Sequence, residues 1–256
     1  MLKQSFSWWS FDERGRTPLE LLEAAQEIGY TGVELIPRDL WSMARDAGLP
    51  IIAHQGHGSI DSGLNDPRQH ARIAGEIEEA LALAVQYGIP NLIVFSGVRR
   101  EGLTDEEGIE HTAAGLRRVA HAAEESGVTL LLELLNSRRD HRGYQADRTD
   151  WGVRVCEAAR SPWVKLLFDI YHVQVMEGDL IERINTHRAF LGHFHTAGVP
   201  GRHDLDGEQE INYPAVVRAI ATDEYTGLIG HEFIPKGDPI AALQAAYRLC
   251  AAATAL

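Results

Sequence analysis

The run Thr129-Leu130-Leu131-Leu132-Glu133-Leu134-Leu135 carries the decision about the fold. It is apolar almost throughout, as a strand covered on both faces must be, and its interruption is a carboxylate near the C-terminal end. Segments of the same kind recur at Lys3–Trp8, Gly32–Ile36, Ile51–His54, Asn91–Ser96, Val164–Ile170, Leu191–His195 and Leu228–Phe233, giving eight candidate strands with the first. Longer helical stretches separate them, and that alternation is the signature of parallel βα units. Eight such units admit a closed barrel or an open doubly wound sheet. No GxGxxG follows the first strand, and polar residues cluster where several strands end, so the expectation is an α/β fold, a (β/α)8 TIM barrel. One domain over residues 1–256 is expected, because barrels of this length fold as one.

The helices carry start and stop signals. Thr17-Pro18 opens the first and Gly29 closes it, Asp66-Pro67 precedes the third, and Thr104 leads into a fourth that ends near Gly127. An Ala- and Leu-rich segment from Asp238 through Leu256 predicts a last helix that closes the ring against the first unit.

With 45% hydrophobic residues, the chain can bury a large core. Its formal charge of -13 sets up a field that repels polyanions, so no nucleic-acid partner and no anionic-membrane partner is expected. A small molecule is the expected ligand, and homo-oligomerisation stays open. The two cysteines, Cys156 and Cys250, lack CxxC spacing and read as packing residues. No charged region followed by a long apolar run comes after Met1-Leu2-Lys3-Gln4, and no stretch approaches the ~18 apolar residues of a membrane span. A soluble cytoplasmic protein is the expectation.

Function is written where ionisable residues interrupt the last four strands: Glu133, Asp169 in Leu166-Leu167-Phe168-Asp169-Ile170, His195 in Leu191-Gly192-His193-Phe194-His195, and Glu232 in Gly230-His231-Glu232-Phe233. An ionised carboxylate inside a core loses several kcal/mol of hydration unless a cation compensates it. Lys and Arg are too sparse in these strands to neutralise three carboxylates, so a bound divalent metal is the economical explanation. Three carboxylates and one imidazole suit Mn²⁺, Mg²⁺ or Co²⁺, with Zn²⁺ admissible. Taken singly, each carboxylate is as readily an ion-pair residue, and a lone His more often a hydrogen-bonded core residue. The joint pattern over four strands favours the metal.

Further stretches resemble hydroxypyruvate isomerases: Leu132-Glu133-Leu134-Leu135-Asn136, Phe168-Asp169-Ile170-Tyr171-His172, Gln174-Val175-Met176-Glu177-Gly178-Asp179, Pro200-Gly201-Arg202-His203, Gly207-Glu208-Gln209-Glu210-Ile211-Asn212-Tyr213 and Gly230-His231-Glu232-Phe233. The N-terminal half is similar more loosely, through Gly32-Val33-Glu34 and the strand spacing. The resemblance is to the xylose isomerase-like TIM-barrel superfamily of sugar phosphate isomerases and epimerases, which also holds tagatose- and psicose-type epimerases, inosose dehydratases and endonuclease IV. It implies one divalent metal on Glu133, Asp169, His195 and Glu232, and substrate contacts from His172 and Arg202. Two departures stand out. His195 occupies a position where some hydroxypyruvate isomerases carry Gln and sugar epimerases carry His. His54-Gln55-Gly56-His57-Gly58 replaces apolar and small residues after strand three, leaving substrate, a second metal or each other as partners of the two His.

The implied reaction interconverts hydroxypyruvate and tartronate semialdehyde through an enediolate, with Glu133 and Glu232 as the two proton-transfer groups. Arg202 would pair with a substrate carboxylate, His172 would steer a substrate oxygen, and His54 and Trp8 would line the pocket, with Trp9 and Phe11 beside Trp8. Glu34 reads as a hydrogen-bonding residue behind the site, and Asp204, Asp206, Glu208 and Glu210 as surface acids. The alternatives are a ketose 3-epimerase or inosose dehydratase on the same metal, an endonuclease IV-type phosphodiesterase, and a sugar-binding barrel without catalysis.

Overall fold

The computed structural model describes residues 2–12 and 15–255. Its strands are β1 (Lys3–Ser7), β2 (Gly32–Glu34), β3 (Ile51–Gln55), β4 (Asn91–Val94), β5 (Thr129–Glu133), β6 (Val164–Asp169), β7 (Leu191–Thr196) and β8 (Leu228–His231). They follow one another in chain order as a closed barrel, which is the expected topology. Every strand coincides with one read from the sequence to within a few residues at its ends.

Contacts divide the chain into two compact units. One comprises Met1–Ile52, Asp179–Thr186 and His193–Leu256. In it β1 pairs in parallel with β2 (Ser5↔Gly32, Ser7↔Glu34) and with β8 (Lys3↔Leu228, Phe6↔His231), and β7 pairs with β8 (His195↔Gly230). Phe6, Phe11 and Phe233 fill its interior edge-to-face, at centroid distances of 5.7 and 5.0 Å. The expected last helix runs Pro239–Ala253 and returns to the start of the chain, where Tyr30 donates to the Leu243 carbonyl (2.9 Å) and Gln4 to that of Tyr247 (3.2 Å). Gly29, at φ +113°, ends the first long helix, and a Cβ there would lie 2.6 Å from the Tyr247 hydroxyl, so packing as well as backbone conformation demands glycine.

The other unit comprises Ala53–Gly178 and His187–Gly192. In it β3 pairs with β4 (His54↔Leu92), β4 with β5 (Val94↔Leu132) and β5 with β6 (Glu133↔Leu167), all parallel. Leu130, Leu131, Leu132, Leu166, Leu167 and Phe168 are wholly buried, which is why these strands read as unbroken apolar runs.

Thr17 and Thr104 each form a capping box with the Glu three residues on, as their sequence patterns required. One helix differs from expectation. The stretch read as a single helix from Thr104 to Gly127 is two, Asp105–Arg117 and Ala120–Ser126. At the join, Arg118 N–H and Val119 N–H reach back three residues, to Gly115 (3.2 Å) and Leu116 (3.1 Å), and this tighter turn leaves Val119 fully buried. Among the described residues, no helix is long and apolar enough to cross a membrane. Cys156 and Cys250 are free and buried, as expected.

Candidate functional site

β5 and β6 end on Glu133 and Asp169, His195 is the penultimate residue of β7, and Glu232 follows β8 directly. Each of the four side chains stands at or next to the C-terminal end of its strand and is between 0 and 6% exposed.

In the unit holding β7 and β8, Glu232 is heavily engaged. Its Oε1 accepts from the Ser7 hydroxyl (3.0 Å) and the Trp9 indole N–H (2.9 Å), and its Oε2 from Arg202 Nη2 (2.6 Å). His195 Nδ1 lies 3.2 Å from the same Oε2. The Arg202 guanidinium sits 5.2 Å over the Trp9 ring, and the residue itself adopts φ +59° in a loop pinned by Arg202 N–H to Gly198 O (2.9 Å) and Ile234 N–H to Arg202 O (2.7 Å). Burial opposes ionisation of Glu232, yet His195 and then Arg202 hold its carboxyl well below the usual range. Burial likewise opposes a charge on His195, and Glu232 and Glu34 overcome it, raising the imidazole well above its ordinary value.

Behind these groups lies a network that sequence reasoning only touched. Glu34, fully buried at the end of β2, meets His193 Nε2 at 3.0 Å and His195 Nε2 at 3.0 Å, and accepts from the Ser5 hydroxyl. Burial works against the Glu34 charge, but the two imidazoles hold its carboxyl well below normal. The signal was present: His193 and His195 are two apart on a strand and so share a face. His231, on β8, is spent structurally between Gln4 Oε1 (3.0 Å) and Thr196 Oγ1 (2.7 Å), and burial pulls it down to about 3.

In the unit holding β5 and β6, Asp169 also caps the helix Ile170–Met176, its Oδ1 accepting the His172 N–H (3.0 Å). His172 is fully buried, and its Nδ1 accepts the Asn136 N–H (3.0 Å), which assigns the ring proton to Nε2. Nε2 stands 3.8 Å from Asp169 Oδ2. The end of β5 is fixed by Tyr144, whose hydroxyl donates to the Glu133 carbonyl (3.0 Å) and accepts the Ser96 N–H (3.0 Å). Asp140 Oδ2 takes the Tyr171 hydroxyl (2.7 Å) and the Asn136 amide (2.5 Å), and Asp140 lines a polar cavity of about 620 Å³ with Gln55, Asp61, Phe95, His141 and Arg142.

Of the remaining expected residues, His54 is half-buried on β3. His57 is 3% exposed and accepts the Phe95 N–H at Nε2 (2.9 Å), and burial lowers it to about 4, so it acts as a core residue. Trp8 is 3% exposed, whereas its neighbour Trp9 is 42% exposed and is the tryptophan that meets Glu232. Asp206 and Glu208 are exposed acids that pair with Lys236 Nζ at 2.8 and 2.9 Å, Asp204 accepts the Lys236 N–H (2.8 Å), and Glu210 is exposed.

Among the described residues, two groupings have the composition and spacing to hold a metal ion: Glu133, Asp169, His195 and Glu232, and Glu34, His193 and His195, with one ligand atom per residue within 4.8 Å of the others in each. The first has the donor chemistry of a hard to borderline divalent cation.

The family model described as "Xylose isomerase-like TIM barrel" matches residues 22–251. The chain is similar to a Homo sapiens protein named as a hydroxypyruvate isomerase, 29% identical over 92% of this chain and 90% of that protein. It is 34% identical to a 2-oxo-tetronate isomerase of Cupriavidus necator, over 69% of this chain and 67% of that one. Among solved structures it is similar to an AP endonuclease, family 2, from Brucella melitensis, with a TM-score of 0.85 and 26% identity over 95% of this chain and 97% of that chain.

Proposed function

The chain belongs to the xylose isomerase-like TIM-barrel family, and from that premise we propose that it is a metal-dependent isomerase of a short α-hydroxycarbonyl acid, interconverting hydroxypyruvate and tartronate semialdehyde. The observation that carries this reading is the buried grouping of Glu133, Asp169, His195 and Glu232 at the ends of consecutive strands. Three carboxylates and an imidazole in one place, with Arg202 paired to Glu232, leave negative charge that a divalent cation compensates. These four residues would hold the ion, which when bound stabilises negative charge developing on the substrate's carbonyl and hydroxyl oxygens.

The rest of the chemistry belongs to the chain. One of Glu133 and Glu232 removes a proton from C3 of hydroxypyruvate, and the C3–H electron pair becomes the C2–C3 double bond of an enediolate. The other glutamate delivers a proton to C2, and the C3 hydroxyl proton passes to the C2 oxygen as the C3 aldehyde and the C2 hydroxyl form, so no net atom is gained or lost. His172, with its proton on Nε2 by the Asn136 contact, donates to a substrate oxygen. Arg202 pairs with the substrate carboxylate while remaining anchored to Glu232. Trp9 covers this pair and limits access of water.

A longer substrate of the 2-oxo-tetronate type is a second reading, favoured by the polar cavity of about 620 Å³ that Asp140 lines. The test is a proton NMR assay in D2O of chelator-treated protein with Mn²⁺, Mg²⁺, Co²⁺ or Zn²⁺ restored in turn, on hydroxypyruvate, 2-oxo-tetronate, tagatose, psicose and inosose. Isomerisation of an acid with solvent deuterium at the receiving carbon is expected. Turnover of a neutral sugar alone would replace this reading with the epimerase or dehydratase alternative.

A further inference from the structure

We propose that Glu34 is a positioning residue that fixes which nitrogen of His195 faces the metal, an inference that rests on the metal-dependent reading above. Glu34 Oε2 lies 3.0 Å from His195 Nε2, and on the opposite edge of the ring Nδ1 lies 3.2 Å from Glu232 Oε2. A carboxylate can only accept, so Glu34 holds Nε2 as a proton donor, and Nδ1, on the side of Glu232, is the nitrogen that would give up its proton to meet an ion. The other Glu34 oxygen is occupied by Ser5 Oγ and by His193 Nε2 at 3.0 Å, which prevents the carboxylate from turning away.

Two features of the backbone serve this contact. Gly230, opposite His195 on β8, has no side chain where a Cβ would lie 2.5 Å from Glu34 Oε1 and 2.9 Å from His195 Cδ2. The glycine is therefore the space in which the carboxylate meets the imidazole. Leu35, immediately after Glu34, takes φ +50°, a left-handed conformation that a leucine adopts only when its surroundings impose it. Glu34, His193 and His195 also have the composition of a three-ligand metal group. Here, however, the carboxylate oxygens are engaged by Ser5 and the two Nε2 atoms at hydrogen-bond distance, so the group reads as the support of one metal site rather than a second site.

The experiment uses zinc as the probe. In zinc-loaded protein with ¹⁵N-labelled histidine, long-range ¹⁵N–¹H spectra should show His195 protonated at Nε2 with Nδ1 bound to the ion. A His195 that keeps its proton on Nδ1 overturns the proposal, and this measurement needs no variant to fold. Glu34→Gln and, separately, Gly230→Ala, which crowds the contact without removing either partner, should each weaken zinc binding about 10- to 100-fold by chelator competition, at unchanged far-ultraviolet circular dichroism. Affinity within threefold of the wild type in both variants, or two zinc equivalents per wild-type chain, also overturns it. Failure of the broader reading looks different: wild-type protein that binds no zinc, Mn²⁺, Mg²⁺ or Co²⁺ sinks the metal site itself and this role for Glu34 with it.

Discussion

At the scale of the residue, Glu133 and Glu232 are assigned both metal holding and proton transfer, and substitution separates the two roles. Glu133→Gln and Glu232→Gln keep an oxygen for the ion but lose the basic site and weaken the ligand set, so kcat should fall at least about 10²-fold in each even at a metal excess that restores occupancy. Single-turnover kinetics with metal analysis checks this, and undiminished turnover in either variant removes that glutamate from the mechanism. His57 allows a prediction independent of the site. Burial lowers it to about 4, below the ordinary 6.5, so between those values the unfolded chain binds the extra proton and stability falls as pH falls. The loss attributable to His57 is about 2 kcal/mol by pH 5, with His231 acting in the same direction. In His57→Gln, whose amide oxygen can still accept the Phe95 N–H, urea unfolding at pH 7.5, 6 and 5 should show a shallower decline; an equal decline would mean His57 is not a source of it. Residues of this kind were legible unevenly. Glu133, Asp169, His195 and Glu232 stood out because a charge inside an apolar run is costly. Glu34 and Trp9 were not assigned their contacts, because nothing local says that β2 delivers a carboxylate to a histidine of β7, or that the exposed one of two adjacent tryptophans reaches Glu232.

At the scale of the element, what the sequence made legible was whatever local chemistry determines. Thr17-Pro18 and Thr104 announced helix starts because their side chains satisfy N–H groups three residues on, and Gly29 announced an end because of its left-handed backbone. The break at Arg118–Val119 was hidden because the tighter turn there goes with burial of Val119, a tertiary demand. The Arg202 loop was equally hidden, since φ +59° at an arginine follows no turn rule. The closing helix offers a test of the local logic: Asp238 Oδ1 accepts the N–H of Ile240 and of Ala241, both at 3.0 Å, ahead of Pro239 at the first position. Asp238→Ala should cost about 1 kcal/mol, and its exposed pairing with Arg16 adds little. For a chain of this size that is a fall in Tm of about 2–4 °C by calorimetry, with kcat unchanged. A larger loss that extends to activity would mean the helix start supports the site as well as the ring.

At the scale of the whole molecule, barrel rather than open sheet was legible because polar residues gather at several strand ends, and a barrel brings those ends to one face. The same placement has an energetic cost: a chain of net charge -13 keeps Glu34, Glu133, Asp169 and Glu232 within 6% of full burial. A divalent cation should therefore stabilise the fold, either by binding at one site or by screening the general negative charge, and the two differ in form. Binding at a site depends on its ligands; at a hundredfold excess over Kd it contributes about 2.7 kcal/mol, or about 5–10 °C in Tm, and grows further only with the logarithm of the excess. Screening rises gradually with ionic strength and is indifferent to any one side chain. Asp169→Asn separates them, because asparagine can still accept the His172 N–H and cap its helix while the ligand charge is lost. Thermal melts of chelator-treated protein titrated with Mn²⁺ at fixed ionic strength should rise with the logarithm of the ion's excess over Kd in the wild type and stay flat over the same range in Asp169→Asn. An equal rise in both proteins would assign the stabilisation to the surface charge and leave the buried carboxylates to be compensated by Arg202 and the histidines.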